Sequence, residues 1–202
     1  MISNKKEMMQ AFKDLGWKTG KDSVGVNTCL YTFDDCNLHA MPVFRKLSNR
    51  IEFAADASVS TAPFSKAESE IYGEKNNHEP IIISNYSDFV IEKPEITSDD
   101  VRTLSDKMIA WAKAQNIELG LKKYRGLPTD AKGALPVRHL AALALHGDFK
   151  KLKHYQAAFE KGDRLDFVPY ITLEMIERAL NIAEENHNTS QQINEINGVR
   201  LH

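Results

Sequence analysis

Residues 24–44 read "VGVNTCLYTFDDCNLHAMPVF", and the fold turns on them. Val24, Val26, Thr28, Leu30 and Thr32 alternate with Cys29, Tyr31 and Phe33, the two-residue repeat of an extended strand. Asp34-Asp35 makes a tight turn, and "CNLHAMPVF" returns as a second strand. After "KLSN", the stretch "RIEFAADASVS" (50–60) supplies a third. Short strands with short polar connections favour an antiparallel meander.

Working outward, the N-terminal segment reads as a helix. Met8, Met9, Phe12 and Leu15 form one stripe, and Gly16 and Gly20 close it. Downstream, "TAPFSKAESEIYG" (61–73) predicts a short helix, with Thr61 as a cap, Pro63 in the first turn and Gly73 as the stop. "EKNNHEP" (74–80) is a loop, and "IIIS" and "DFVIE" are strands rich in β-branched and aromatic residues. A long helix follows over "TSDDVRTLSDKMIAWAKAQNI" (97–117). Thr97 or Ser98 caps it, Asp99 and Asp100 suit its positive end, and Val101, Leu104, Met108 and Trp111 form its apolar face.

From Gly120 the texture changes. "GLKKYRGLPTDAKGALP" (120–136) is a basic connector rich in glycine and proline, and helical patterns follow it. Pro136 opens a helix through "LAALAL" that stops at Gly147. Asp148 caps the next, with Phe149, Leu152, Tyr155 or Gln156, and Phe159 on its stripe. "DRLDFVPYI" is an extended connector, and Thr172 caps a last helix with Ile176, Ala179, Leu180 and Ala183 inward. The expected architecture is α+β: a five-stranded, mainly antiparallel sheet with flanking helices over 1–118, a helical subdomain over 119–186, and a polar tail over 187–202 that frays.

The chain has 202 residues, is 42% hydrophobic and 27% charged, and carries a formal charge of −2. That balance suits a globular protein and supplies no global field for nucleic acid or an anionic membrane. "MISNKKEMMQAFKDLGW" lacks the apolar stretch of a signal peptide. The apolar run from Leu140 to Leu145 falls far short of the ~20 residues that span a bilayer. Cys29 and Cys36, the only cysteines, make no disulfide framework, and a reduced cytoplasmic setting is expected.

Candidate chemistry concentrates in "RHLAALALHGDFKKLKHY" (138–155), which holds His139, His146, His154 and Asp148. His139 and His146 share a helix face but stand roughly 10 Å apart along the axis, too far for one zinc. His154 lies beyond the Gly147 break, and a helix end with an aspartate cap accounts for Gly147 and Asp148. The stretch reads as a turn between helices, with no metal and no cofactor. Cys36 adjoins Asp34 and Asp35, which disfavour a thiolate. Lys122, Lys123, Arg125, Lys132 and Arg138 read as a solvated basic face around Tyr124. Neither "GEKNNHE" nor "GLKKYRG" has the spacing of a phosphate loop, and there is no GxSxG elbow. Asp34 and Asp35 at the hairpin tip and Asp88, Glu92, Glu95, Asp99, Asp100 and Asp106 give a local acidic excess, which reads first as helix capping and solubility and, more sharply, as a docking face for a basic partner.

The order helix, three strands, helix, two strands, long helix over residues 4–116, with "MMQAFKDLG" at its start and "DFVIEKPEIT" leading into the long helix, resembles type III secretion chaperones. That resemblance implies a small α/β fold, a homodimer and a secreted effector as partner. The region "HLAALALHGDFKKLKHYQAAFEKGDRLDFVPYITLEMIERALNIA" is similar to immunity proteins of bacterial polymorphic toxins, on "LAALALHGD" and "GDRLDFVPYI". Both resemblances imply a cytoplasmic bacterial protein that binds another protein. The leading expectation is a non-catalytic immunity protein that occludes a toxin, with Asp34, Asp35, Asp99, Asp100, Tyr124, Phe167 and Tyr170 as contacts. The alternatives are a secretion chaperone presenting a strand edge, and a small enzyme using His139, His146 or His154 beside Asp148 or Glu160.

Overall fold

The computed structural model describes residues 1–22, 24–74 and 78–198, with side chains as far as residue 188. The chain forms two compact units, Met1–Ala62 with Pro80–Ile117, and Pro63–Glu79 with Glu118–His202. The sequence divides once, after residue 118; the structure also gives Pro63–Glu79 to the second unit. The loop expected at 74–80 includes residues 75–77, which lie outside the described residues.

The first unit opens with α1 (Lys5–Asp14), whose Asn4 side chain accepts from the Glu7 N–H. An antiparallel sheet follows, with six strands among the described residues: β1 (Lys18–Lys21), β2 (Asn27–Phe33), β3 (Cys36–Lys46), β4 (Ile51–Thr61), β5 (Ile82–Ile83) and β6 (Val90–Lys93). The meander is present, and its turn is the expected two-residue one. Phe33 pairs with Cys36, and Asp34 takes a left-handed φ of 45°. The strand β1 is additional to the five expected. "KTGK" carries no apolar alternation, and its extended form comes from pairing Lys18–Lys21 against Leu30–Asn27. Because β3 occupies one edge of β4 along its length, β5 and β6 share the other, at Ser58–Val59 and Ile51–Ala54. Phe89 belongs to a single 3-10 turn, Tyr86–Phe89, so the strand expected from Asp88 starts at Val90.

The sheet's inner face (Cys29, Leu38, Ala40, Phe44, Phe53, Ala55, Ala57 and Val59) is packed with Met8 and Phe12 of α1 and with Val101, Leu104 and Met108 of α3 (Ser98–Lys113). Trp17 lies edge-on to Phe12 at 5.4 Å and donates its indole N–H to Ser105 Oγ at 2.9 Å, which gives a buried polar atom its partner.

The second unit is helical: α2 (Ala62–Tyr72), α4 (Ile117–Arg125), α5 (Leu135–His146), α6 (Phe149–Glu160) and α7 (Leu173–Gly198). In α5, Pro136, Val137 and His139 to Ala144 are all buried, as befits a helix packed on several sides. Gly147 (φ 71°) ends it, with Asp148 N–H on the Leu143 carbonyl and Gly147 N–H on that of Ala144. The Asp148 side chain then caps α6 through the Lys151 N–H at 3.1 Å. The stretch 138–155 is therefore a helical hairpin.

Three expectations change here. The basic connector is helical up to Arg125, because partners distant in sequence satisfy its last carbonyls: His139 Nδ1 meets Tyr124 O at 2.7 Å, and Lys151 Nζ donates to Arg125 O at 3.0 Å. "DRLDFVPYI" is a folded loop in which Arg164 Nη2 donates to the carbonyls of Val168, Pro169 and Ile171. Finally, α7 continues through the expected tail to Gly198, over a stretch with no proline and no earlier glycine to stop it; residues 199–202 lie outside the described residues.

Candidate functional site

The helix α2 buries Phe64, Ala67, Glu68 and Ile71, the i, i+3, i+4, i+7 stripe of an amphipathic helix. Glu68 thus sits where an apolar residue is expected, and it is only 6% exposed. Beyond α2 the chain returns Glu79, also buried, whose N–H donates to Ser65 Oγ at 3.0 Å. The Glu79 carboxylate accepts from Arg138 Nε and Nη2 at 3.0 and 2.9 Å. Arg138 also hydrogen-bonds the Tyr124 hydroxyl, and the Tyr124 ring stacks on Phe64 at 5.7 Å.

Two exposed rings stand near this cluster, Tyr170 within reach of the charges of Glu68 and Arg138. Tyr170 donates to the Gly133 carbonyl at 2.5 Å and meets Tyr72 edge-on, ring centres 6.4 Å apart. They are 39% and 43% exposed, so a fixed aromatic pair faces solvent. Burial pushes the Glu68 carboxyl up to about 7, helped by the charges of Glu79 and Glu74 and opposed by Arg138. Burial raises the Tyr170 hydroxyl as well, with Tyr72 and Glu68 adding to the effect.

The contacts expected from the sequence divide among several fates. Asp34, Asp35 and Asp99 are exposed. Asp100 is 7% exposed: it closes a capping box with Thr97 and pairs with Lys93 at 2.5 Å, so it is unavailable to a partner. Phe167 is buried against Tyr155 and Phe159, a core residue and no surface anchor. Tyr124 is half-buried, and Tyr170 reaches the surface. Arg138, read as part of a solvated basic face, is instead engaged by Glu79. Cys36 is held up first by burial, then by Asp34 and Asp35.

Of the three histidines, His146 and His154 are exposed and His139 is buried. A carbonyl only accepts, so His139 carries its proton on Nδ1 toward Tyr124 O, and Nε2 accepts from the Tyr155 hydroxyl at 3.0 Å. Burial lowers its pKa to about 4. The ring ties α4, α5 and α6 together. No group of three or more His, Cys, Asp or Glu suited to a metal occurs among the described residues.

Residues 4–184 match a family of unknown function, DUF6990. The chain belongs to this family. No curated protein and no solved structure matches it. The DUF6990 match runs from the start of α1 into α7 and so takes in the whole Glu68 cluster. In this DUF6990 chain the cluster sets a buried carboxyl near an exposed aromatic pair, and such a carboxyl is suited to donating a proton. Glu68, Glu79 and Tyr72 were missed in sequence. The Glu79–Arg138 pair spans 59 residues, but the charge on the apolar stripe of α2 was a readable signal.

Proposed function

We propose that this DUF6990 chain is a stoichiometric protein-binding module of the cytoplasm, an immunity protein that covers a toxin's working surface. The Tyr72–Tyr170 pair carries the reading. Two exposed tyrosines in edge-on contact, one of them tied through its hydroxyl to the Gly133 carbonyl, bury much area on binding, the property of an interface anchor. Asp34, Asp35 and Asp99 supply exposed negative charge that favours a basic partner. Among the described residues no helix is long and apolar enough to cross a membrane.

The test is co-expression with the product of the adjacent gene, followed by titration of the purified pair. Growth protection that saturates at equimolar protein, and a loss of at least about tenfold in affinity (~1.4 kcal/mol) for Tyr170→Ala, support the reading. Protection by catalytic amounts would instead favour an acid–base enzyme. The observation that favours this second reading is Glu68, a carboxyl titrating near 7 beside Tyr170.

A further inference from the structure

On α7, Glu177, Leu180, Asn181 and Glu184 follow one another at three, four and seven residues from the first, a single stripe of the helix. With Lys153 and Gln156 of α6 they line a groove of about 340 Å³. Phe149, at the start of α6, meets His187 of α7 edge-on, ring centres 5.8 Å apart. The groove lies later on α6 and earlier on α7 than that contact, so the two helices run antiparallel. Counting turns from it sets Lys153 abreast of Glu184, and Gln156 abreast of Leu180 and Asn181. Leu180 is 6% exposed and forms the floor, while Lys153, Glu177, Asn181 and Glu184 are exposed. None of the five polar side chains has a hydrogen bond or ion pair with a described residue, although Lys153 and Glu184 carry opposite charges across the groove.

We propose that this groove receives a basic helix of the partner protein, with cationic side chains seven residues apart paired to Glu177 and Glu184, an apolar residue between them over Leu180, and an acidic residue toward Lys153. The proposal rests on the protein-binding reading above and names a surface and a partner chemistry for it. Spacing decides the form of the guest. Seven residues of α7 rise about 10.5 Å, and a guest helix lying along the groove repeats that distance between its own residues i and i+7, which share a face. An extended strand fits less well, because side chains on one of its faces recur at about 7 and 13 Å and meet only one of the two carboxylates at a time. Charge decides the rest. The α7 wall carries two carboxylates and the α6 wall one ammonium, so the guest must be basic on one side and acidic at one point on the other. A small polycation spans both carboxylates but brings its own charge against Lys153, whereas a helix can place a glutamate there. Laying a helix between two others is a recurrent mode of protein recognition.

The experiment uses the full chain and, as probe, an alanine-based helical peptide of about 20 residues. It carries lysines seven residues apart, a leucine four after the first lysine and a glutamate just after the second. NMR of the Gln156 and Asn181 side-chain amides reports from the groove itself. Saturable shifts are expected at low salt, with affinity at least about tenfold weaker for a peptide of the same composition whose lysines stand five apart, which turns the second by about 140° from the first. The double variant Glu177→Gln with Glu184→Gln should weaken binding by a similar factor and keep its melting temperature, since both side chains are exposed. No saturation, equal binding of the two peptides, or an unchanged response in the double variant would overturn the groove. Spermidine saturating the same shifts at or below the peptide's concentration would assign it to a small polycation and overturn the helix. The partner itself separates the two levels. Capture weakened by the double variant supports the groove. Capture lost with Tyr170→Ala but kept with the double variant overturns the groove and leaves the aromatic binding surface standing, and capture intact in both overturns both.

Discussion

Glu68 folds with its carboxyl near 7, where an unfolded glutamate titrates near 4.5; His139 folds near 4, where an unfolded histidine titrates near 6.5. Burial is the leading cause in each, but the consequences for stability are opposite. The folded Glu68 keeps a proton that the unfolded chain releases. Its contribution is complete below pH 4.5 and is lost as pH rises through 7, by at most about 3 kcal/mol. His139 stays neutral where the unfolded chain takes up a proton, so its contribution is complete above 6.5 and is lost as pH falls through 4. The Glu68 and His139 slopes oppose one another over most of the same window, and His39, also lowered by burial, adds to the rising one, so the native chain should grow somewhat more stable as pH rises from 5 to about 6.5. Glu68→Gln copies the protonated carboxyl and leaves the His139 slope alone. Its melting temperature should match the native chain's near pH 4.5 and exceed it at pH 8. A variant less stable than the native chain at pH 8 would show that the ionised carboxylate is stabilising in place, contrary to its burial.

At the scale of elements, the α5–α6 hairpin offers the sharpest case, because its two turn residues act through different physics. Gly147 sits at φ 71°, and a Cβ there would meet only the Phe149 ring at 3.8 Å, an ordinary contact. Gly147→Ala should therefore cost about 1 kcal/mol, from left-handed backbone strain alone, and Gly147→Asn clearly less. Asp148→Ala removes the side chain that accepts from Lys151 N–H and should cost a similar ~1 kcal/mol. Urea titration of the three variants measures both, and an equal cost for alanine and asparagine at 147 would refute the backbone argument. This hairpin was legible in sequence because caps and stops are local. So were the start of α3 at a cap of Thr97 or Ser98, the stripe of α1 and the two-residue turn at Asp34, whereas Asp100's place in the capping box was not. What escaped was held from a distance. The strand β1 exists by pairing with β2, α4 by bonds from His139 and Lys151 to its last carbonyls, and the site by an arginine 59 residues from its carboxylate. Tyr170 was readable as a candidate anchor, whereas Phe167, three residues earlier, needed the Tyr155 and Phe159 contacts to be placed in the core.

For the whole molecule, the chain leaves its first unit at Pro63, contributes α2 and Glu79 to the second, and returns at Pro80. The second unit is drawn from two segments, so a cut at the boundary suggested by sequence divides it while leaving the whole first unit in one fragment. A fragment of residues 119–202 loses Phe64 from the Tyr124 ring, Glu79 from Arg138, and the Ile71 carbonyl that accepts from Arg178 Nη1 at 3.1 Å. Arg138, its side chain only 16% exposed in the intact chain, is left without its carboxylate. The fragment should keep helical circular dichroism and melt broadly, without the cooperative transition of a packed core. Adding a peptide of residues 62–80 in trans should sharpen the transition, and the same peptide carrying Glu79→Gln should do so less well, since it restores the packing without the charge. A fragment that melts as sharply, and at the same temperature, as the second unit does in the full chain would mean that α2 contributes no stability to it. That distinction bears on function, because α2 and its following segment bring Glu68, Tyr72 and Glu79 to the site while Tyr124, Arg138 and Tyr170 come from beyond residue 118.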